Sequence, residues 1–512
     1  MISLPRWPTI IAIVFFLYTS LFFIQRPHIT TLDLGRHLIN GRELAKHPEL
    51  LSTNFFSYTN PDFPFVNHHW LFGWLAYQVF RLTSFPGLVL VNSTLIVSGV
   101  ILVFLLARKM SSTTIALGAS LVALPLITDR ADIRPETISF FLLGLWLFLL
   151  SKLDRGSSWK TLLILAGTQM IWVNTHLFFV FGWLIAVAFL LRAVIVKSFR
   201  WQRTGLTIFM FCLPLVSLVN PSGLSGVLEP FAIFNEYNYP VAENQSLWFF
   251  LHYSPSNLQY WYASLLVLLG ISTSVLLLYK KKFATLPLVL IAIVLGVLTS
   301  QINRVGSFFG LASIPVLAIV FNLFWQAQGK KICSLLNNTS WLMVISTLGF
   351  TTVILALATS LFTPSVRNIG LNPPASMLAP INFFHSIKTT GNIFNNYDIG
   401  SYLVYTLYPN KHVFIDNRPE AYPSDFIKND YIAAQTSEEI WEQVVKKYKL
   451  GVIFFYHQDA TDWAGPFIIQ RVQDHTWVPI YADAAVVIFV KDIPEHQEVI
   501  EKYRVPQEVF GY

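Results

Sequence analysis

Asp33 and His37 stand four residues apart in the stretch TTLDLGRHLINGRELAKHPELL, residues 30–51, and His68 and His69 follow in VNHHW. On a helix a spacing of four puts a carboxylate and an imidazole on the same face. A carboxylate partly withdrawn from water becomes a better base, able to take a proton from a hydroxyl group. Asp33 also has a purely structural reading. It opens an amphipathic stretch, and Asp is a favoured helix N-cap. Together with the three histidines it could hold a divalent metal, but the spacing matches no compact zinc motif such as HExxH. Hydrogen bonding of His37, His68 and His69 to a substrate or to their own loop is the preferred expectation. No cofactor is expected.

A second set is cationic. Arg130, Asp132 and Arg134 lie in TDRADIRPE, and Arg304 lies in QINRVG. The guanidinium fork suits a phosphate group. Arginine at the end of an apolar helix is also tolerated because it can snorkel to water. Asn174 and His176, in WVNTH, could reach a substrate or satisfy carbonyls at a helix end. NPSG, residues 220–223, reads as a turn. Asp416, Arg418 and Glu420 in FIDNRPEAY follow a strand candidate and are expected to form a salt-bridged loop.

The elements that must position these groups follow from composition. The 512 residues are 54% hydrophobic and only 12% charged, with 43 Phe. Soluble domains carry about 25% charged residues. The apolar residues form long runs, so the fold class is an α-helical polytopic membrane protein with about eleven transmembrane helices. The spans are expected near 7–24, 86–107, 112–128, 135–152, 159–175, 177–196, 204–220, 260–279, 283–300, 305–325 and 340–362. The first is read as an uncleaved span, since its apolar core is too long for a signal peptide. The net charge of +7 does not point to nucleic acid, because the basic residues sit in short clusters between apolar runs. Cys212 and Cys333 are not expected to form a disulfide.

Lysine is almost confined to alternate loops of this region, as at Lys152 and Lys160, Lys197, Lys280 to Lys282, and Lys330 and Lys331. Those loops and the N-terminus are therefore expected in the cytoplasm, and the opposite loops outside. Residues 1–362 then form a membrane domain whose large first extracytoplasmic loop, about 25–85, bears two interfacial helices, at 33–46 and 70–80. Residues 363–512 form a small extracytoplasmic α/β domain. GNIFNN and KHVFID are strand candidates with the helix DIGSYLVYTLY between them. TSEEIWEQVVKKY is a helix with a capping box from Thr436 to Glu439. LGVIFFY, VPIYAD and AVVIFVKD are further strands.

The order of segments resembles the bacterial membrane proteins grouped with the GT-C glycosyltransferases, which include protein O-mannosyltransferases and lipid A aminoarabinose transferases. The resemblance is carried by the first loop, LDLGRHLINGRELAKHPELL to WLFGWLAYQVF, then by IRPETISFFLLGLWLF, MIWVNTHLFFVFGWL, LVNPSG and NRVGSFFGLASIPVLA, and finally by NIFNNYDIGSYLVYTLYPNKHVFIDNRPEAY. It covers nearly the whole chain in layout.

The resemblance implies a polyprenyl-phosphate sugar donor, an extracytoplasmic glycan, lipid or protein acceptor, and an acidic residue early in the first loop that activates the acceptor. Asp33 matches that position. It departs from the better-known members in being followed by Leu34 and not by a second acidic residue. On this reading Arg130, Arg134 and Arg304 stabilise the leaving phosphate, and Asp33 accepts the acceptor proton in an inverting displacement. Two rival readings are a transporter or flippase of lipid-linked sugars and a non-catalytic envelope assembly protein. Transporters place their sites near the bilayer midplane between repeats, whereas here the charges lie at span ends and no repeat is visible.

Overall fold

The computed structural model describes residues 7–153, 159–198, 200–236, 239, 241–328 and 368–511. The chain forms two compact units. The first comprises Met1–Arg26, Pro86–Val227 and Pro240–Leu371; the second comprises Pro27–Phe85, Leu228–Tyr239 and Asn372–Tyr512.

The first unit is helical. Its elements are α1 (Trp7–Leu21), the later part of α3 (Trp70–Met110), α4 (Thr113–Thr128), α5 (Glu136–Leu150), α6 (Trp159–Thr175), α7 (Val180–Ile195), α8 (Arg200–Ser217), the first residues of α9 (Gly223–Glu236 overall), α10 (Leu247–Tyr253), α11 (Leu258–Tyr279), α12 (Leu286–Gln301) and α13 (Gly306–Gln328). The expected spans from 7–24 to 305–325 each coincide with one of these helices, and the span at 340–362 lies outside the described residues. Among the described residues, five helical segments are long and apolar enough to cross a membrane: Trp70–Met110, Leu177–Ile195, Leu258–Tyr279, Phe283–Gln301 and Asn303–Gln326. Others, including Thr113–Thr128 and Glu136–Leu150, are apolar but shorter. The protein is a multi-pass membrane protein. Trp146, Trp172, Tyr262, Phe308 and Phe309 are fully buried in its helical core.

The expected interfacial helix at 70–80 and the span at 86–107 are one helical element, α3, broken at Ser84 (φ 57°, ψ −157°). Pro86 accounts for the break. Its ring removes a hydrogen-bond donor and disfavours helical backbone just before it.

The second unit holds a four-stranded sheet in the order β1 (Asn392–Asn395), β2 (Leu450–Tyr456), β4 (Val486–Lys491), β3 (Trp477–Ala482). β1 runs parallel to β2, and the other pairings are antiparallel. Strand β2 reads LGVIFFY because both faces of the sheet's centre are buried. The helices of this unit include α2 (Leu34–Leu44), α14 (Ala379–Ser386), α15 (Gly400–Leu407), α16 (Ala433–Thr436) and α17 (Glu438–Lys447).

Three expectations are corrected here. KHVFID is not a strand; Val413 makes one isolated bridge to Ser57, and the Phe414 amide donates to the Asn395 side chain. The cap of α17 is Ser437, whose hydroxyl accepts from the Ile440 amide, while Thr436 ends the preceding helix and donates back to its carbonyls. Nor does α2 lie with one face open on a bilayer: Leu34 to Gly41 are all buried within the unit. Small residues make this possible. A Cβ on Gly35 would meet the Ser401 carbonyl oxygen at 2.8 Å, and one on Gly41 would meet the Gly73 carbonyl oxygen at 2.1 Å.

The Gly41 contact is with backbone, which cannot rotate away. Gly41→Val is therefore expected to cost at least about 3 kcal/mol, read as a large drop in the thermal midpoint of the purified protein. An unchanged midpoint would show that α2 does not pack this closely on α3.

Candidate functional site

In the second unit the Asp33 carboxylate does not cap α2; no amide of the first turn donates to it. Its Oδ1 accepts instead from the Asn417 side-chain amide, and its Oδ2 lies 3.4 Å from an Arg36 Nη2. Arg36 Nε in turn donates to Asn417 Oδ1 at 2.9 Å, and the Arg36 amide donates to the Ser401 hydroxyl at 3.0 Å. Aspartate, arginine and asparagine thus form a closed triangle. The Arg36 side chain is buried, while that of Asp33 stays 30% exposed. A carboxylate has about four lone-pair directions, so Asp33 keeps room for a further donor.

Asn417 is held by its neighbours. Asp416 is completely buried, and Arg418 donates to it twice, at 2.7 Å from both Nε and Nη2. Arg418 also donates to Asn54 Oδ1 at 3.0 Å and stacks over Phe56 and Phe65. The Tyr422 hydroxyl donates to Asp416 Oδ2 at 2.9 Å. The expected salt bridge is present between Asp416 and Arg418, on either side of Asn417. Burial pushes the nearby Glu420 carboxyl up in pKa, against the pull of Arg36 and Arg418.

The three histidines come together, but the rings turn to one another. His37 is fully buried, 5.5 Å from the ring of His69 and 5.1 Å from that of Phe72. His68 and His69 are 4.0 Å apart, and His68 Nδ1 lies 3.1 Å from the Val66 carbonyl oxygen. Among the described residues, no group of three or more His, Cys, Asp or Glu side chains is arranged to hold a metal ion. Arg36 moreover places a cation beside Asp33, where a metal would be repelled. The residues present do not fit a metal at Asp33.

In the first unit Arg130, Arg134 and Arg304 converge. Arg130 Nη2 bonds Glu136 Oε1 at 3.1 Å and Glu243 Oε2 at 2.9 Å. Arg134 Nη1 bonds Glu243 Oε1, and Arg304 Nη2 bonds Glu136 Oε1 at 2.6 Å. Arg304 also reaches the Asn244 side chain at 3.3 Å. Asp132 sits at the rim, 4.0 Å from Arg134 and 44% exposed. A small cleft is lined by Arg130, Asp132, Arg134 and Glu136 together with Ile96, Ile127, Phe140 and Phe308. Glu136 begins α5 directly after Pro135, a residue favoured at helix starts. Burial alone would raise the pKa of Glu243. Arg130, Arg134 and Arg304 overcome this and hold it well below the usual carboxylate range.

His176 lies against this group. Its Nδ1 is 2.9 Å from the Ser139 hydroxyl and accepts from the Phe178 amide at 3.4 Å, and its Nε2 is 4.0 Å from Glu136. Trp172 donates to Ser139 at 2.7 Å. Burial lowers the His176 pKa to about 3, against the pull of Glu136 and with help from Arg304 and Arg130, so the imidazole is neutral. Its accepting Nδ1 puts the proton on Nε2, facing the glutamate. Asn174 is turned away from this group: its amide donates to the Met170 and Val219 carbonyls and satisfies the helix end.

Sequence reading missed Arg36, Asn417, Glu136 and Glu243. Arg36 was detectable, three residues beyond Asp33 on the same helix face. Glu136 lies within the DIRPE stretch. Asn417 and Glu243 carry no local signal, because each acts on residues more than a hundred positions away.

No protein-family model matches the chain, and no curated protein matches it. Solved structures do. The archaeal oligosaccharyltransferase AglB from Archaeoglobus fulgidus, in complex with an inhibitory peptide and a dolichol-phosphate, superposes with a TM-score of 0.60 at 12% identity, over 96% of this chain and 75% of that one. The same organism's oligosaccharyltransferase tethered to an acceptor peptide gives 0.60 at 14% identity, over 95% and 74%. Its complex with Zn and sulfate gives 0.58 at 14%, over 94% and 73%. At these identities the likeness is one of fold.

Removing Arg418 would leave Asp416 buried without a counter-ion. Arg418→Met is expected to destabilise the protein by about 3–5 kcal/mol, measured by thermal unfolding. A loss below about 1 kcal/mol would mean that the pair does not hold this loop.

Proposed function

We propose that this chain is a membrane glycosyltransferase that moves a sugar from a polyprenyl-phosphate donor to an extracytoplasmic acceptor. The observation that carries this reading is the convergence of Arg130, Arg134 and Arg304 on Glu136 and Glu243, with Arg130 and Arg134 lining a small cleft that Ile96, Ile127, Phe140 and Phe308 also line. Guanidinium groups beside an apolar surface suit a phosphate that bears a lipid tail. The fold supports the same reading, since one structure with this fold holds a dolichol-phosphate and another an acceptor peptide.

In the reaction, the acceptor oxygen attacks the anomeric carbon of the donor sugar as the bond to the phosphate oxygen breaks. The configuration inverts. The acceptor proton passes to Asp33, and the lipid phosphate leaves as an anion. Stabilising such developing charge is commonly the largest catalytic contribution. Arg36 and Asn417 orient the Asp33 carboxylate and leave a lone pair for the acceptor. His176, neutral and bonded to Ser139, keeps the Glu136 end of the cluster in place. No step is routed through a metal. The reading includes about eleven spans, a cytoplasmic N-terminus and an extracytoplasmic C-terminal domain.

Asp33→Asn keeps the shape of the triangle and removes the base. It is expected to lower sugar transfer by about 10²- to 10⁴-fold in a protein that still folds, with a thermal midpoint lowered only modestly because Arg36 keeps its bond to Asn417. In cells, mass spectrometry should find one acceptor lacking its sugar and the lipid-linked donor accumulating. Wild-type transfer by this variant would overturn the role of Asp33, and a phenotype confined to the deletion strain would favour transport or assembly. Topology has its own test. In a chain with Cys212 and Cys333 replaced by Ser, Asp462→Cys should react with an impermeant maleimide from outside, and Lys281→Cys only from the cytoplasmic side. The reverse pattern would invert the proposed orientation.

A further inference from the structure

The arginine cluster is already charge-balanced, which constrains how it could receive a phosphate. Three guanidinium groups face Glu136, Glu243 and, at the rim, Asp132. An anion entering a cluster in that state gains little, because each new attraction is offset by repulsion from a resident carboxylate. One carboxylate has to leave.

The two carboxylates inside the cluster are not equivalent. Glu136 is 9% exposed, sits in the first turn of α5, and is bonded by Arg130 and Arg304 at the same oxygen. Glu243 is 30% exposed and sits on the short turn Ala242–Asn244. It presents one oxygen to Arg130 and the other to Arg134. That two-oxygen bridge between two guanidinium groups is also the way a phosphate would bind them. The residues after Glu243 are tied down separately: the Asn244 side chain accepts from Arg304 at 3.3 Å, and the Gln245 carbonyl oxygen accepts from the Asn303 amide at 3.0 Å. The Glu243 side chain can therefore rotate outward without moving the turn.

We infer that Glu243 is a displaceable internal ligand: its carboxylate occupies the position of the donor phosphate on Arg130 and Arg134, and the phosphate binds by replacing it. Glu136 is the permanent counter-ion that keeps the arginines folded in. This inference rests on the phosphate-binding reading above and adds a competitor to it. Because the competitor belongs to the chain, it discriminates among anions: a weakly charged or single-oxygen ligand does not displace it, and a phosphate does.

The test is equilibrium binding of a fluorescent short-chain polyprenyl phosphate to the full chain in phosphatidylcholine nanodiscs, with inorganic phosphate as competitor. Glu243→Gln should tighten the Kd by about tenfold, and Glu243→Asp, too short to bridge both arginines, should tighten it by a smaller factor. Paired Arg130→Gln and Arg134→Gln should weaken binding by at least about tenfold. Competition by inorganic phosphate would assign the effect to the phosphate group itself; tightening seen with the lipid alone would assign it to the lipid-borne phosphate. Both results support the inference. If the arginine variants weaken binding while both Glu243 variants leave it unchanged or weaker, Glu243 is a structural partner and the inference falls. If the arginine variants bind as the wild type does, the phosphate-binding reading itself fails.

Discussion

A buried charge has to be paired, and the pair between Asp416 and Arg418 is the constraint on which the second unit depends. Asp416 has no exposed surface and Arg418 almost none. The cost of removing both from water is offset only if every hydrogen-bonding direction is used. Tyr422, Asn54 and the rings of Phe56 and Phe65 complete that set. Asn417 lies between Asp416 and Arg418, and its side chain bonds both Asp33 and Arg36. A pair that contributes little net stability thereby decides where the candidate base stands.

The first unit solves the same physical problem with a different outcome. Its arginines lie among apolar helices, where unpaired guanidinium groups would be costly. Glu136 and Glu243 reduce that cost by pairing with them. The Asp416 pair is sealed by aromatic rings, whereas the Arg130 and Arg134 pair with Glu243 borders a cleft and remains partly exposed. The difference separates a structural ion pair from one that can exchange partners.

The legible part of the molecule followed from periodicity and composition. Long apolar runs located the helices of the first unit, and the run LGVIFFY located the central strand. Misreadings arose where a long-range contact replaced a local preference. KHVFID has strand-forming residues, but its amide at Phe414 is taken by the Asn395 side chain. Asp33 has the chemistry of a cap, but the Asn417 amide and Arg36 claim its carboxylate. The pattern of α2 read as a membrane-surface helix because Leu34, Leu38, Leu44 and Ala45 fall at helical spacing with the charges elsewhere; Gly35 and Gly41 instead let other parts of the chain pack closely on it.

By itself the sequence determined that this is a multi-pass membrane protein with a mixed α/β segment near its end. Those properties are sums over neighbours in the chain: apolar run length, the spacing of charges, the turn residues between them. The tertiary structure alone decided which charges meet. Asn417 reaches Asp33 across 384 residues, Arg304 reaches Glu136 across 168, and Glu243 reaches Arg130 across 113. Each of these side chains could have been solvated or paired elsewhere. Only the folded packing, which withdraws water and leaves one partner within reach, selects the pairings on which the candidate chemistry depends.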